Sequence, residues 1–227
     1  MRIAIIPARG GSKRIPGKNV KDFCGKPMIV WAIGYAIESG LFDKVIVSTD
    51  DAHIAEVARA AGAEIPFARP DSLADDHTPT VPVISHAIEA CEAMGWKIEY
   101  ACCIYPCVPF LHSSDLVDAF ALMQARDVPF AYPVTIYSHP IQRAMRRLST
   151  GQMQLLQPAH ELSRTQDLEE SYYDTGQFYW GKASAWKARM KMHTAGVGMV
   201  VPNWRVVDID TADDWKRAEL LHGMLKR

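Results

Sequence analysis

The chain has no apolar run of about 18 residues, the length needed to cross a bilayer. Its first six residues lead straight into a candidate strand, with no charged segment, long apolar block and cleavage site. A membrane or secreted protein is therefore not expected, and a cytoplasmic one is. Cysteine is sparse and odd in number, at five, and Cys102, Cys103 and Cys107 crowd one apolar stretch. That is a poor disulfide framework. Neither C-x-x-C pairs nor a spaced histidine pair accompany these thiols, which excludes a zinc site and leaves them buried and inert. An excess of one charge is also missing: the net charge is −1, with no basic stripe beyond Lys26. Nucleic acid is thus not an expected partner. Internal repeats and low-complexity tracts are absent. Two familiar phosphate motifs fail as well. Gly11 and Gly17 stand one residue too far apart for a P-loop, Asn19 follows Lys18 where Ser or Thr is required, and no G-x-G-x-x-G occurs.

What is present begins at Ile3-Ala4-Ile5-Ile6, a short unbroken apolar run of the kind buried on both faces inside a parallel sheet. Pro7-Ala8-Arg9-Gly10-Gly11-Ser12-Lys13 follows as a loop. Its glycines permit close backbone approach to a ligand, Ser12 adds a hydroxyl, and Arg9, Lys13 and Lys18 add positive charge. Six of the chain's 25 basic residues (Arg9, Lys13, Arg14, Lys18, Lys21, Lys26) lie here against one acid, Asp22, so the positive charge is local. One such cation at about 4 Å from a phosphate is worth on the order of 4 kcal/mol at an effective dielectric near 20, against roughly 0.3–1 kcal/mol for a helix terminus. Side chains rather than a helix dipole should hold a polyphosphate.

The 227 residues suit one α/β domain that buries roughly 70% of its unfolded surface. Helices are expected over 28–37, 52–61 and 80–94, then from a Ser113 or Ser114 cap to Ala125, and from a Thr211-x-x-Asp214 capping box to Leu225. Strands are expected over 44–51, 101–105, 130–136, 197–201 and 205–209. This alternation argues for a mainly parallel, Rossmann-like sheet that binds ligands outside the carboxyl ends of its strands. Residues 138–172 break the pattern and read as an insertion within the domain. Asp208-Ile209-Asp210 falls at the end of the last expected strand. Alternation would point both carboxylates one way, a spacing suited to one hard cation such as Mg²⁺. Asp50 is a lesser carboxylate at the same edge.

Pro7 to Lys13, Ile15-Pro16-Gly17-Lys18-Asn19 and Gly25-Lys26-Pro27-Met28-Ile29 together resemble the N-terminal signature of the cytidylyltransferases that activate nine-carbon acidic sugars as CMP-sugars. The resemblance spans Ile3 to Trp215. Arg164-Thr165-Gln166-Asp167-Leu168 and Tyr173-Asp174-Thr175-Gly176-Gln177-Phe178-Tyr179-Trp180-Gly181 look most like its pseudaminic acid branch. It implies CTP and an acidic nine-carbon sugar as substrates. Arg9, Lys13, Lys18, Asp208 and Asp210 would be catalytic, the two aspartates holding magnesium. The nucleotide would meet Ala8, Arg9, Gly10, Gly11, Ser12, Lys18, Asn19, Arg69, Thr78 and Thr80, and the sugar Tyr105, Tyr173, Asp174, Gln177 and Phe178. The insertion would dimerise the enzyme and offer Arg143, Arg146 and Arg164 to the partner's site. Tyr105 stands where sialate-activating relatives carry Gln; Cys107 and Val108 depart from the expected small polar residues, and His112 from an Arg. A sialate or legionaminate enzyme and an inactive nucleotide-binding regulator are the rival readings.

Overall fold

A computed structural model describes residues 1–75 and 78–225. Its main sheet contains β1 (Arg2–Pro7), β2 (Lys44–Ser48), β3 (Tyr100–Ile104) and β4 (Phe130–Ile136). A small hairpin, β5 (Met145–Arg147) and β6 (Met153–Leu155), stands apart, and β7 (Tyr172–Asp174), β8 (Phe178–Lys182) and β9 (Gly196–Val200) return to the sheet. The spatial order is β9-β4-β8-β3-β1-β2, with β7 also on β4. Parallel pairing joins β1 to β2 and β3, and β9 to β4; β7 and β8 run antiparallel. The fold is α/β around a mainly parallel sheet.

Strand alternation explains the layers. Ala4 and Ile6 of β1 face one side, where α1 (Met28–Glu38), α2 (Ala52–Ala60) and α4 (Ser113–Ala125) pack through Ile33, Ile54 and Leu116. Ile3 and Ile5 face the other, covered by α3 (Thr80–Ala93) and the short α5 (Ala183–Lys187), which contributes Trp186. The short α6 (Met192–Ala195) leads into β9. Asp51 caps α2, its Oδ1 accepting from Ile54 N–H at 2.9 Å.

A third, smaller core positions the site. Ile15 from the glycine loop, Phe23, Met28, Phe110, Ile209 and Trp215 of α7 (Ala212–Leu225) bury against one another. Phe23 meets Trp215 edge to face at 5.4 Å between centroids. Residues nearly 200 apart in sequence are thereby fixed together: the basic loop through Ile15, the D-x-D through Ile209.

Two expectations need correction. No strand forms over 205–209; Asn203–Arg205 is a 3₁₀ turn, and 206–210 continue without sheet pairing. Ile209 is buried in the third core instead of the sheet. Neither Ser113 nor Ser114 caps α4: the cap position is His112, whose N–H donates to Asp115 Oδ2 at 3.3 Å. The Thr211/Asp214 pair does cap α7 reciprocally, at 2.9 and 3.2 Å.

Among residues 137–174 none is buried. This segment carries the β5–β6 hairpin and three 3₁₀ turns, and it exposes Met145, Met153, Leu156 and Leu162. Among the described residues no helix is long and apolar enough to cross a membrane.

Candidate active site

Strand order reverses at β1: the chain leaves it through α1 to β2 on one side and returns through α2 and α3 to β3 on the other. Loops from the carboxyl ends of β1 and β3 diverge there and leave a crevice. A cleft of about 620 Å³ occupies that place. Three segments far apart in sequence line it: Arg9, Ser12, Lys13, Arg14, Lys18 and Asn19 after β1; Tyr105 to Val108 after β3; and Val207 to Asp210.

The break between β7 and β8 supplies a fourth. Val134 of β4 pairs with Asp174, and Ala131 with Trp180, so β7 and β8 are one antiparallel strand interrupted by extra residues. Gly176, at φ +64°, makes the kink. The register against β4 is thereby offset by three residues, and Thr175, Gly176 and Gln177 line the cleft wall.

The basic loop meets the D-x-D directly. Asp210 Oδ2 accepts from Arg14 Nη1 at 2.7 Å, and Lys18 Nζ lies 3.5 Å from Oδ1. Cys107 marks their meeting point. Burial pushes its thiol up to about 12, with Lys18 acting downward and Asp210 and Asp208 upward. It therefore stays protonated and is no nucleophile at neutral pH. Asn19 is buried and ties the loop together, its Nδ2 donating to the Arg9 carbonyl at 2.9 Å.

The glycines act differently from one another. A Cβ on Gly10 would lie 2.5 Å from Asp51 Oδ2 and 2.9 Å from its Cβ, so Gly10 is required by the α2 cap; at Gly11 a Cβ would meet nothing. The Gly10 N–H donates to Asp50 Oδ1 at 3.1 Å and the Ser12 N–H to the Gly10 carbonyl at 3.0 Å. These two amides are committed within the protein, which leaves the cationic side chains as the main anion-binding groups. Asp50 acts here as a loop acceptor.

The other residues singled out from sequence divide. Arg9 lines the cleft and donates from Nη1 to the Asp75 carbonyl at 2.7 Å; Lys13, Tyr105 and Gln177 also line it. Thr80 Oγ1 lies 2.6 Å from the Tyr105 hydroxyl. Ala8 is buried behind the loop, donating to the Ser48 carbonyl at 3.0 Å. Arg69 is buried too and is not among the lining residues. Its Nε donates to Ser48 Oγ at 3.1 Å and its Nη2 to the Ser48 carbonyl. Burial lowers its basicity, partly offset by Asp50. Thr78 bonds Asp75 Oδ1 through both N–H and hydroxyl, while its neighbours Asp76 and His77 lie outside the described residues.

Phe178 sits fully buried in the core rather than on the cleft. Tyr173 accepts from Asn203 Nδ2 at 3.1 Å and packs on Tyr137, away from the cleft lining. Asp174 lines a second cavity with His193 and Tyr132. Sequence reasoning missed Tyr179 and His193, which both bond Asp174 Oδ2, at 2.7 and 2.8 Å. It also counted Arg14 only as bulk charge, although Arg14 makes the closest contact to the D-x-D. An arginine one residue beyond Lys13 was the available signal.

Asp208 and Asp210 both line the cleft. Among the described residues no group of three or more His, Cys, Asp or Glu side chains could enclose a metal. Two carboxylates beside lysine and arginine instead fit a hard ion that keeps water and borrows oxygens from a polyphosphate.

Residues 3–192 match the family described as Cytidylyltransferase. The chain belongs to that family. It is 39% identical over 223 residues to the pseudaminic acid cytidylyltransferase of Campylobacter jejuni serotype O:2, covering 97% of this chain and 95% of that protein. A second C. jejuni enzyme of the same name, from serotype O:23/36, is 38% identical with the same coverage. Among solved structures, a CMP:2-keto-3-deoxy-manno-octonic acid synthetase complexed with CTP superposes with a TM-score of 0.71 at 16% identity, covering 99% of each chain. That likeness is one of fold. Family membership makes this protein a nucleotidyltransferase.

Proposed function

We propose that the enzyme transfers CMP from CTP to the anomeric hydroxyl of a nonulosonic acid, with pseudaminic acid as the preferred sugar, and releases pyrophosphate. The observation that carries this is the convergence of Arg14 and Lys18 with Asp210 on one wall of a cleft. Tyr105 and Gln177 face that same cleft. The names of the C. jejuni relatives support the choice of sugar, as does a phenol at Tyr105 where sialate enzymes resemble one another in carrying an amide.

In this reading Arg9, Lys13, Lys18 and Arg14 hold the triphosphate and neutralise charge as pyrophosphate leaves. The sugar oxygen attacks the α-phosphorus, its proton passes to solvent, and the bond to the β-phosphate oxygen breaks. Asp208 and Asp210 would hold Mg²⁺, which when bound supplies charge neutralisation at the phosphate oxygens. Arg14 and Lys18 then exchange partners, moving from Asp210 to phosphate. The exposed apolar residues of 137–174 fit a homodimer interface.

Incubation with CTP, magnesium and a panel of pseudaminic, legionaminic and sialic acids, read as pyrophosphate and by mass spectrometry of the product, tests this. Pseudaminate should give CMP-sugar fastest. D210A and D208A should lose about 100-fold or more in kcat, and a chelator should abolish turnover. Faster turnover of sialate or legionaminate displaces the sugar assignment, and CTP binding without pyrophosphate release from any sugar leaves a regulator.

A further inference from the structure

Asp210 is already served by cations of its own chain. Arg14 Nη1 donates to Oδ2 at 2.7 Å, and Lys18 Nζ lies 3.5 Å from Oδ1, so each carboxylate oxygen faces one positive charge. A divalent ion at the same oxygens is opposed by both.

These groups differ in their freedom to move. Asp210 is held from behind: its N–H donates to Asp214 Oδ2 at 3.2 Å within the α7 cap, and its neighbour Ile209 is buried in the third core. Lys18 is confined, with 18% of its side chain exposed, on a turn closed by its N–H donating to the Ile15 carbonyl at 3.1 Å. Arg14 has the most freedom. The backbone beside it is anchored by buried Ile15, yet 70% of the Arg14 side chain is exposed. An exposed ion pair is weak, so the guanidinium can leave Asp210 by rotating about its own side-chain bonds while loop and carboxylate stay in place.

Its alternative partner is set by the cleft. Arg14 lines it together with Arg9, Lys13 and Lys18, the groups that would hold a triphosphate. A planar fork of donors binds phosphate as well as it binds carboxylate. One guanidinium therefore has two anionic partners, one built into the chain and one brought by a nucleotide.

We propose that Arg14 is an internal counter-ion that closes Asp210 to a divalent cation until the triphosphate of a nucleotide draws the guanidinium away. This rests on the cytidylyl-transfer reading above, and it adds an order of events at that site: phosphate engages Arg14 before Asp210 is open to metal. Nucleotide and metal are then coupled through the protein as well as through their own contact, and by linkage each raises the affinity for the other.

The test measures binding of Mn²⁺ to the nucleotide-free enzyme, read as loss of the free-ion signal in electron paramagnetic resonance. R14A should bind the ion about 10-fold more tightly than wild type, and D210N placed in the R14A background should abolish that gain. K21A is the control for loop charge, because Lys21 Nζ lies over the Trp215 ring at 4.5 Å; its Mn²⁺ affinity should equal that of wild type. Calorimetry of CTP binding supplies the coupling. The ratio of CTP affinities with saturating magnesium and with a chelator should fall in R14A by a factor similar to the gain in metal affinity. Melting temperatures close to wild type confirm that the variants fold.

A Mn²⁺ affinity of R14A within about twofold of wild type overturns the proposal. So does a gain that survives D210N, which places the ion elsewhere, or one that K21A reproduces, which makes it an effect of net charge. None of these measurements needs turnover. Intact coupling without CMP-sugar formation from any sugar would overturn the transfer reading alone, so the two failures are told apart.

Discussion

Tyr105 shows how one side chain records its surroundings in a measurable way. An unfolded tyrosine titrates near 10, whereas burial in the cleft wall holds the folded phenol at about 12. Between those values the native state keeps a proton that the unfolded chain has released, so stability falls with rising pH. The contribution is intact below pH 10 and is lost as pH climbs through 12. Urea midpoints measured from pH 8.5 to 11 should therefore drop more steeply for the wild type than for Y105F, and equal slopes would contradict the burial account. Residue by residue, the sequence was read best where chemistry is local. Arg9, Lys13 and Lys18 are lined up along one loop, and the structure places all three on the cleft. Phe178 and Arg69 were not separable that way: Phe178 is turned into the core by strand alternation, and Arg69 is satisfied by Ser48 behind the loop. Both depend on partners distant in sequence.

Among elements, the segment carrying the D-x-D depends on an anchor that periodicity does not reveal. Arg205, just ahead of it, forms a two-pronged pair with Asp115 in the first turn of α4; Nη2 lies 2.8 Å from Oδ1, and Nη1 bonds Oδ2. The two side chains are only 7% and 8% exposed. Apolar and β-branched residues at 206, 207 and 209 look like a strand, yet β9 already fills the adjacent edge of the sheet and Ile209 finds its burial in the third core. The pair and that core replace the missing ladder. R205A leaves a buried carboxylate without its partner and should cost about 3–5 kcal/mol in urea unfolding. The double variant R205M/D115L should recover most of that stability, since a well-packed apolar pair can match a buried ion pair. If R205A unfolds with the wild type, the segment is held by Ile209 alone. The β7–β8 interruption is the opposite case: Gly176 and the aromatic run after it are visible in sequence, but only the pairing with β4 shows the three-residue offset that brings Thr175 to Gln177 to the cleft wall.

At the scale of the whole molecule, residues 137–171 lie outside the main sheet, and none of them is buried. A segment of that length exposing Met145, Met153, Leu156 and Leu162 together, the last at 95%, has its apolar surface turned outward. In the homodimer proposed above, a second copy of the chain would cover it in an isologous pairing. M153E/L156E should then convert a sedimenting dimer to a monomer while leaving the melting of the α/β body nearly unchanged. Contribution of arginines across the interface can be tested separately by mixing two defective chains. K18A lacks a phosphate-binding group in its own cleft, and R164A would lack the group offered to its partner. If Arg164 acts across the interface, a mixed dimer contains one cleft with an intact Lys18 served by an intact Arg164. Mixing should then restore pyrophosphate release that neither variant shows alone. Failure to restore it, in a mixture that demonstrably forms heterodimers, would remove Arg164 from the groups acting across the interface.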